Sequence, residues 1–374
     1  MKIVADQNMA DVEAFFGHLG SITYLPGREI SAEHIGDVDL LLVRSVTRVN
    51  QALLEHSSVA FVGSATIGTD HIDRDYLQQR GIGFAHAPGC NADAVVQYDL
   101  SVLSRLQPDW LQKSLNVGIV GCGNVGRRLY QTLTSLNINC RVYDPFLSDN
   151  QALNLVDFDT VLQADALFLH TPLTHSGPFP TRHLFNADAL ARLAENTLLV
   201  NAGRGAVIDN TALLARLQKG PALRVALDVW EGEPEIDLTL MANVLLATPH
   251  IAGYSIEGKI RGTAMLAEAY GRWCIEQGVV YASDGLPQTE QQNIASVLTE
   301  ATLNQLILAS YDVAVDDRIM REAMARCASG DVAEAFDRLR KDYPERHEFA
   351  HFQIGSESRE SQIKAQALAV GFDG

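Results

Sequence analysis

The sequence is poor in basic residues, has no long apolar run and shows no regular cysteine spacing. Its 29 lysines and arginines are outnumbered by 46 aspartates and glutamates, which gives a formal net charge of −17. Such an acidic chain disfavours a general surface for nucleic acid or anionic membrane, so we expect neither partner. An anionic substrate would therefore need a site where cations are concentrated locally.

No stretch approaches the roughly 18 apolar residues that a membrane-spanning helix needs. The first residues, 2–6, predict a strand rather than a signal peptide. The cysteines are odd in number and widely spaced, without a CxxC pair, at positions 90, 122, 140, 274 and 327. This pattern indicates neither a disulfide framework nor a structural metal site, and it favours a reducing cytoplasm.

The composition is that of a globular protein. Of the 374 residues, 47% are hydrophobic and 20% are charged, which supplies enough apolar material for two or three domains. Short apolar runs alternate with helical spacing over about the first 90 residues, predicting a small α/β unit. A second unit contains six predicted strands, most with helices between them: Asn116–Val120, Asn139–Tyr143, Ala166–His170, Thr197–Asn201, Arg224–Asp228 and Val244–Ala247. Continuous apolar strands of this kind predict a parallel sheet covered on both faces.

Two long helices are predicted to join the units, at Ala92–Leu106 and Ile256–Gln277. The pattern changes beyond about residue 285. Helical spacing near Ile294–Ala309 and Asp316–Ala328, followed by a strand-like run at His351–Gly355, predicts a third, small α/β domain without a recognisable catalytic motif.

A glycine-rich loop lies directly after the first strand of the second unit. Residues 121–126 read GCGNVG and open a helix, where small residues let the backbone approach a pyrophosphate and helix N–H groups attract it. Asp144 ends the next strand, and a carboxylate there accepts hydrogen bonds from ribose hydroxyls and repels a 2′-phosphate. The pattern therefore predicts NAD rather than NADP. The alternative is an ordinary turn followed by a capping aspartate.

The later strand ends carry polar residues suited to oxidising an alcohol next to a carboxylate. Arg204, Glu233 and His250 follow successive strands, and the carboxyl ends of parallel strands meet at one edge of a sheet. A histidine can remove the hydroxyl proton, a carboxylate can hold its far ring nitrogen, and an arginine can bind the substrate carboxylate. Each residue alone has a structural or solvent-exposed interpretation; their joint placement favours catalysis.

The segments NAGRG, LDVWEGEP and TPHIAG, together with the glycine loop, resemble the D-isomer-specific 2-hydroxyacid dehydrogenase family. The resemblance implies Arg204, Glu233 and His250 as the catalytic residues and Asp228 as the partner of the nicotinamide carboxamide. It also implies a doubly wound parallel-sheet (Rossmann) cofactor domain inserted in a flavodoxin-like substrate domain, plus a small C-terminal α/β domain. The corresponding boundaries are residues 1–92 with 257–285, residues 93–256, and residues 286–374. We expect the substrate domain to close over the crevice, with hinges near residue 90 and residues 256–285.

Further segments resemble one branch of this family, which oxidises a phosphorylated four-carbon 2-hydroxy acid: VRSVTRVN, TIGTDHID, APGCNADAV and PHIAGYSIEGKIRGT, with the tail after residue 285. This likeness implies that Ser45, Thr66 and Tyr254 contact the substrate and that the tail forms a homodimer. Candidate cations for the phosphate are Arg44, Arg48, Lys259 and Arg261. The residues expected to hold NAD are Gly121, Gly123, Asn124, Val125, Gly126, Asp144, Thr171, Ala202, Gly203, Arg204, Asp228, His250 and Gly253.

Two other functions stay open at this point. One is a related dehydrogenase acting on 3-phosphoglycerate or another D-2-hydroxy acid. The other, from a different class, is an NAD-binding regulatory protein built on the same fold, because such a regulator can keep the catalytic residues.

Overall fold

The computed structural model describes residues 1–148, 152–279, 296–327, 330–355 and 361–373. They form two compact units, each treated by itself below. The first contains Met1–Asn91 and residues 255–279, and the second contains residues 92–254 and the described residues from 296 onward. The predicted boundary between residues 285 and 286, like the end of the second predicted hinge, lies outside the described residues. The predicted three-part division therefore stays a prediction.

The strands are, in chain order, β1 (Lys2–Asp6), β2 (Ser21–Leu25), β3 (Leu40–Val43), β4 (Phe61–Ser64), β5 (Gly83–His86), β6 (Asn116–Val120), β7 (Asn139–Tyr143), β8 (Ala166–Leu169), β9 (Leu198–Asn201), β10 (Arg224–Leu227), β11 (Leu246–Ala247), β12 (Ser296–Leu298) and β13 (Phe352–Ile354). The α-helices are α1 (Val12–Phe16), α2 (Gln51–Leu54), α3 (Arg74–Arg80), α4 (Ala92–Leu106), α5 (Asn124–Ser135), α6 (Phe158–Val161), α7 (Ala187–Ala191), α8 (Asn210–Lys219), α9 (Leu238–Asn243), α10 (Ile256–Glu276), α11 (Leu303–Ser310), α12 (Val313–Ala325), α13 (Val332–Lys341) and α14 (Ser361–Val370).

The first unit is a five-stranded parallel sheet in the order β2-β1-β3-β4-β5. Helix α10 returns the chain to this unit and packs on the sheet, where Tyr270 meets Phe61 edge-on at 5.1 Å between ring centres. Strand β2 has no counterpart in the sequence prediction. It forms an edge of the sheet and its residues are largely exposed, so it lacks the continuous apolar run that predicted its neighbours.

The second unit contains a six-stranded parallel sheet in the order β11-β10-β9-β8-β6-β7. All four residues of β8 and of β9 are buried, because helices cover both faces, and the predicted doubly wound fold class is confirmed. From β6 the chain goes to β7 on one side and later returns to β8 on the other. In sheets of this type ligands bind beyond the carboxyl ends of the strands at such a switch point.

The C-terminal residues add a parallel pair, β12 with β13, and helices that pack into the same core as α4 and α5. Leu303, Leu306 and Ile307 of α11 are at most 1% exposed there. The predicted helix Ile294–Ala309 is wrong over its first part. Residues 296–298 form β12, and the helix begins at Leu303 because the Thr302 side chain accepts a hydrogen bond from the Gln305 N–H at 3.2 Å.

None of the helices in the described part of the chain has the length and apolar character required to cross a membrane.

Candidate active site

The glycine loop after β6 has the geometry that a dinucleotide requires. Gly121 adopts φ +87°, and a Cβ there would lie 2.9 Å from the backbone nitrogen of Thr171. A Cβ on Gly126 would lie 2.0 Å from the carbonyl oxygen of Gly121, so only glycine lets α5 start this close to the loop. Gly123 is exposed and has open space beside it. The three glycines thus serve the turn, the helix packing and the approach of a ligand, with Asn124 and Val125 starting the helix.

Two polar groups border this loop. Asp144, after β7, accepts hydrogen bonds from the backbone N–H groups of Cys122 at 2.9 Å and Phe146 at 3.1 Å. The Thr171 hydroxyl oxygen is buried and has no hydrogen-bond partner within the described residues. A Cβ on Gly203 would lie 3.2 Å from the Thr171 carbonyl oxygen, so the loop after β9 lies against the loop after β8. The glycine cradle and the orphaned hydroxyl fit a nicotinamide dinucleotide.

A buried carboxylate shapes the loop after β11. Asp228 is 1% exposed and accepts hydrogen bonds from the Thr248 hydroxyl at 2.7 Å and from the N–H groups of Ile251 at 2.8 Å and Ala252 at 3.0 Å. The His250 N–H donates to the Asp228 carbonyl oxygen at 2.7 Å. His250 itself has φ +58°, a strained conformation for a residue with a side chain, and these bonds hold it there.

Glu233 and His250 form the central side-chain pair. His250 Nδ1 lies 2.6 Å from Glu233 Oε1, and both side chains are partly exposed. Burial of Glu233 opposes its ionisation. The charge and hydrogen bond of His250, with help from Arg340 and a backbone N–H, outweigh this and hold the pKa of Glu233 below its usual value. An ionised carboxylate only accepts hydrogen bonds, so Nδ1 of His250 carries the proton of this bond, and Nε2 is the ring nitrogen that can serve as a base.

Arg204 lies in the loop after β9, next to the segment that carries Glu233. Asn201 shapes this loop by donating to the Arg204 carbonyl oxygen at 3.0 Å and accepting from the Gly203 N–H at 3.1 Å. A Cβ on Gly205 would lie 2.0 Å from the carbonyl carbon of Trp230, so the loops after β9 and β10 are in direct contact. Trp230 in turn donates from its indole N–H to the Thr248 carbonyl oxygen at 3.0 Å, which ties in the loop after β11.

The structure thus brings the residues expected from the second unit to one edge of its sheet. They are carried by the loops after β6, β7, β8, β9, β10 and β11, and Ala202, Gly253 and Tyr254 lie in the same loops.

The expected substrate residues of the first unit lie at the carboxyl ends of two adjacent strands. Arg44 and Ser45 follow β3, and Thr66 follows β4, which pairs with it. The Thr66 hydroxyl donates to the Gly68 carbonyl oxygen at 2.8 Å. The Arg44 guanidinium donates to Asp6 at 3.1 Å, so this candidate cation already has an anionic neighbour.

The remaining phosphate candidates also belong to the first unit. Arg48 is exposed in the loop after β3, and the other two lie near the start of α10, where Arg261 donates to the Cys90 carbonyl oxygen at 2.8 Å. Their role in phosphate binding stays a prediction.

Several residues near the site carry no sequence signal. The Tyr98 hydroxyl, from α4, donates to the Thr248 hydroxyl at 3.0 Å, since Thr248 uses its own proton on Asp228. Arg340 and Tyr343, from the C-terminal region, contact Tyr254. They were missed because contacts between residues so distant along the chain leave no local pattern.

Comparison with known proteins agrees with this geometry. Residues 105–252 match the family model of the D-isomer specific 2-hydroxyacid dehydrogenase NAD binding domain. Residues 286–369 match a domain of unknown function. Curated erythronate-4-phosphate dehydrogenases from Teredinibacter turnerae and Edwardsiella ictaluri are both 46% identical to this chain. The matches cover all of the chain and 98% and 99% of those proteins.

The chain belongs to the erythronate-4-phosphate dehydrogenase family. It is a dehydrogenase of the 2-hydroxyacid class with an NAD-binding domain, as the motifs predicted. Its fold is also similar to that of a solved D-lactate dehydrogenase from Aquifex aeolicus, complexed with NAD and lactic acid. That match has a TM-score of 0.63 and 20% identity, and it covers 74% of this chain and 96% of the other.

The three hydrogen bonds that the Asp228 carboxylate accepts can be tested by substitution. In Asp228→Asn an amide NH₂ replaces one carboxylate oxygen and faces either the Ala252 N–H or the two donors at the other oxygen. We expect a loss of about 1–3 kcal/mol in the free energy of unfolding, measured with urea, and at least a tenfold lower turnover.

Asp237→Asn is the matched control. Asp237 caps α9 through a single carboxylate oxygen, which asparagine retains. Equal stability of the two variants would contradict the assigned role of Asp228.

Proposed function

We propose that this dehydrogenase oxidises the C2 hydroxyl of 4-phospho-D-erythronate to 2-oxo-3-hydroxy-4-phosphobutanoate, with NAD as acceptor, in pyridoxal 5′-phosphate (vitamin B6) biosynthesis. The observation that carries the proposal is the Glu233–His250 pair, in which Oε1 and Nδ1 lie 2.6 Å apart. The pair occurs in a chain that matches a curated erythronate-4-phosphate dehydrogenase over 98% of that protein's length. An imidazole held by a carboxylate is suited to removing a hydroxyl proton at neutral pH.

The chain's own residues divide the chemistry among them. Nε2 of His250 takes the proton of the C2 hydroxyl, and Glu233 stabilises the imidazolium that results. Arg204 binds the substrate carboxylate and polarises the developing carbonyl. Ser45, Thr66 and Tyr254 contact the substrate, and Arg44 is the candidate for its phosphate. When bound, NAD would supply the acceptor for the hydride that leaves C2.

NAD is the proposed cofactor rather than NADP. The residues that would hold it are the glycine loop, Asp144, Thr171, the loop at Ala202–Arg204, and Asp228, His250 and Gly253. The Asp144 carboxylate supports this choice because it lies against the glycine loop through the Cys122 N–H and would repel a 2′-phosphate.

A side-by-side assay tests the function. NADH or NADPH formation is followed with 4-phosphoerythronate, 3-phosphoglycerate and D-lactate, each with NAD and with NADP. We expect the largest kcat/KM for 4-phosphoerythronate with NAD. A preference for 3-phosphoglycerate would assign the chain to the related dehydrogenase, and no turnover with any pair would favour a regulatory protein.

The proposed base can be removed with little change to the backbone of the cofactor site, because asparagine tolerates the positive φ of His250. We expect His250→Asn to lower kcat about 10²- to 10⁴-fold, because the proton acceptor is lost, while NADH affinity measured by fluorescence titration stays near that of the wild type. His183→Asn is a matched control, since His183 forms a similar pair with Glu231 at 2.8 Å. Loss of NADH affinity with unchanged kcat would overturn the assignment of His250 as base.

A homodimer formed through the C-terminal residues is the proposed assembly. Val315 and Ile319 lie one turn apart on α12 and are 41% and 40% exposed, so together they form a small apolar patch. Ile319 also borders a cavity of about 510 Å³ between α12 and α13, together with Ala323 and Leu339. A second copy of the chain covering this face would bury these side chains.

Light scattering after size-exclusion chromatography tests the assembly. We expect a dimeric wild type and a monomeric Val315→Glu/Ile319→Glu variant, because two charges would have to be buried in the interface. Ile275→Glu, at an exposed site on α10, should stay dimeric. A wild type with the mass of one chain would refute the dimer.

We also propose a cytoplasmic location. No disulfide joins any of the five cysteines, all of which lie in the described part of the chain, and this agrees with a reducing compartment.

A further inference from the structure

The C-terminal region contacts the loop that carries His250 and Tyr254. Arg346 donates to the carbonyl oxygens of Ala252 and, at 3.3 Å, Ala94. The rings of Tyr254 and Tyr343 meet edge-on with their centres 5.7 Å apart. Both Arg346 and Tyr343 lie in the segment after α13, so this segment contacts the same loop that Asp228 holds.

Arg340, near the end of α13, extends this contact to the catalytic pair. Its guanidinium carbon lies 5.9 Å from the centre of the Tyr254 ring, and the guanidinium donates a hydrogen bond to the Tyr254 side chain. The charged or titratable groups that face it are Tyr254, Glu233 and Asp337. Burial lowers the pKa of Arg340, these neighbours raise it, and the net direction is upward, so Arg340 is a permanent cation.

Two buried atoms in this arrangement lack hydrogen-bond partners within the described residues: Oε2 of Glu233 and Nε of Arg340. Glu233 uses its other oxygen, Oε1, on His250. An unpaired buried polar group is destabilising and is rare in folded proteins unless a function requires it. Here the two groups have opposite charge and interact electrostatically. The cation therefore offsets the negative charge of Glu233.

We propose that Arg340 is a positioning residue of the active site, which balances the charge of Glu233 beside His250 and orients Tyr254 toward the substrate. The inference rests on the proposed function, in which neutral His250 is the base. A positive charge next to the pair repels a second positive charge, so we expect its removal to favour the imidazolium form of His250. The C-terminal region matches a domain of unknown function. Through Arg340 of α13 it contributes to catalysis.

The test compares variants of Arg340 with the wild type in the full-length protein. Arg340→Met and Arg340→Gln both remove the charge. Glutamine keeps a polar end group, so this variant serves if Arg340→Met does not fold. The acidic limb of the kcat/KM profile for 4-phosphoerythronate should move to higher pH by about 0.5–1 unit. KM should rise severalfold because Tyr254 loses its hydrogen bond. Arg340→Lys, which retains the charge, should restore most of the wild-type profile.

Arg338→Met is the matched control, because Arg338 lies two residues earlier on the same helix, is exposed and pairs with Glu334. A readout independent of turnover is the NMR titration of the His250 ring in protein without cofactor, whose midpoint should shift upward in Arg340→Gln and not in Arg338→Met. A folded Arg340→Gln with the wild-type midpoint and KM would overturn the inference. Failure of the proposed function is distinct, because the wild type itself would then not turn over 4-phosphoerythronate.

Discussion

The loop that carries the proposed base, His250, depends on one buried carboxylate. Asp228 accepts the N–H groups of Ile251 and Ala252, and its own carbonyl oxygen accepts the N–H of His250. Removing a carboxylate from water is costly, and these donors compensate for it only when the loop takes one conformation. The strained backbone of His250 is part of that conformation. The hydrogen bonds of Asp228 therefore fix the position of His250, the proposed base, and we expect a change at Asp228 to alter that position.

The same loop is held from a second direction by the C-terminal region. Arg346 donates to the carbonyl oxygen of Ala252, and the N–H of the same residue donates to Asp228. Both backbone polar groups of Ala252 are therefore hydrogen-bonded. The C-terminal helices also share the apolar core of α4 and α5. The described C-terminal residues therefore belong to the same compact unit as Glu233 and His250. Although the net charge is −17, two arginines, Arg340 and Arg346, lie beside this loop.

Sequence reasoning worked best for the central sheet. Strands β6, β7, β8, β9 and β10 lie within one residue of their predicted bounds, because buried parallel strands are continuous apolar runs. It failed at β2, an exposed edge strand, and at β12, a three-residue strand inside an apparent helical pattern. For the site, the strand-end placement of Arg204, Glu233 and His250 followed from the parallel sheet alone. Arg340 did not, because it lies in a run of charges that resembles a solvent-exposed helix face.

By itself the sequence determined which chemical groups follow each strand, since a glycine loop, an arginine, a glutamate and a histidine can be read in order along the chain. It also determined the class of reaction, because those groups suit hydride removal from an alcohol beside a carboxylate. Only the tertiary structure decided how the groups are oriented: that Glu233 pairs with His250 through Nδ1, that Asp228 shapes the loop between them, and that α13 brings a cation to the pair. Such contacts join residues up to about a hundred positions apart, and their geometry follows from packing and hydrogen bonding of the whole unit rather than from local sequence.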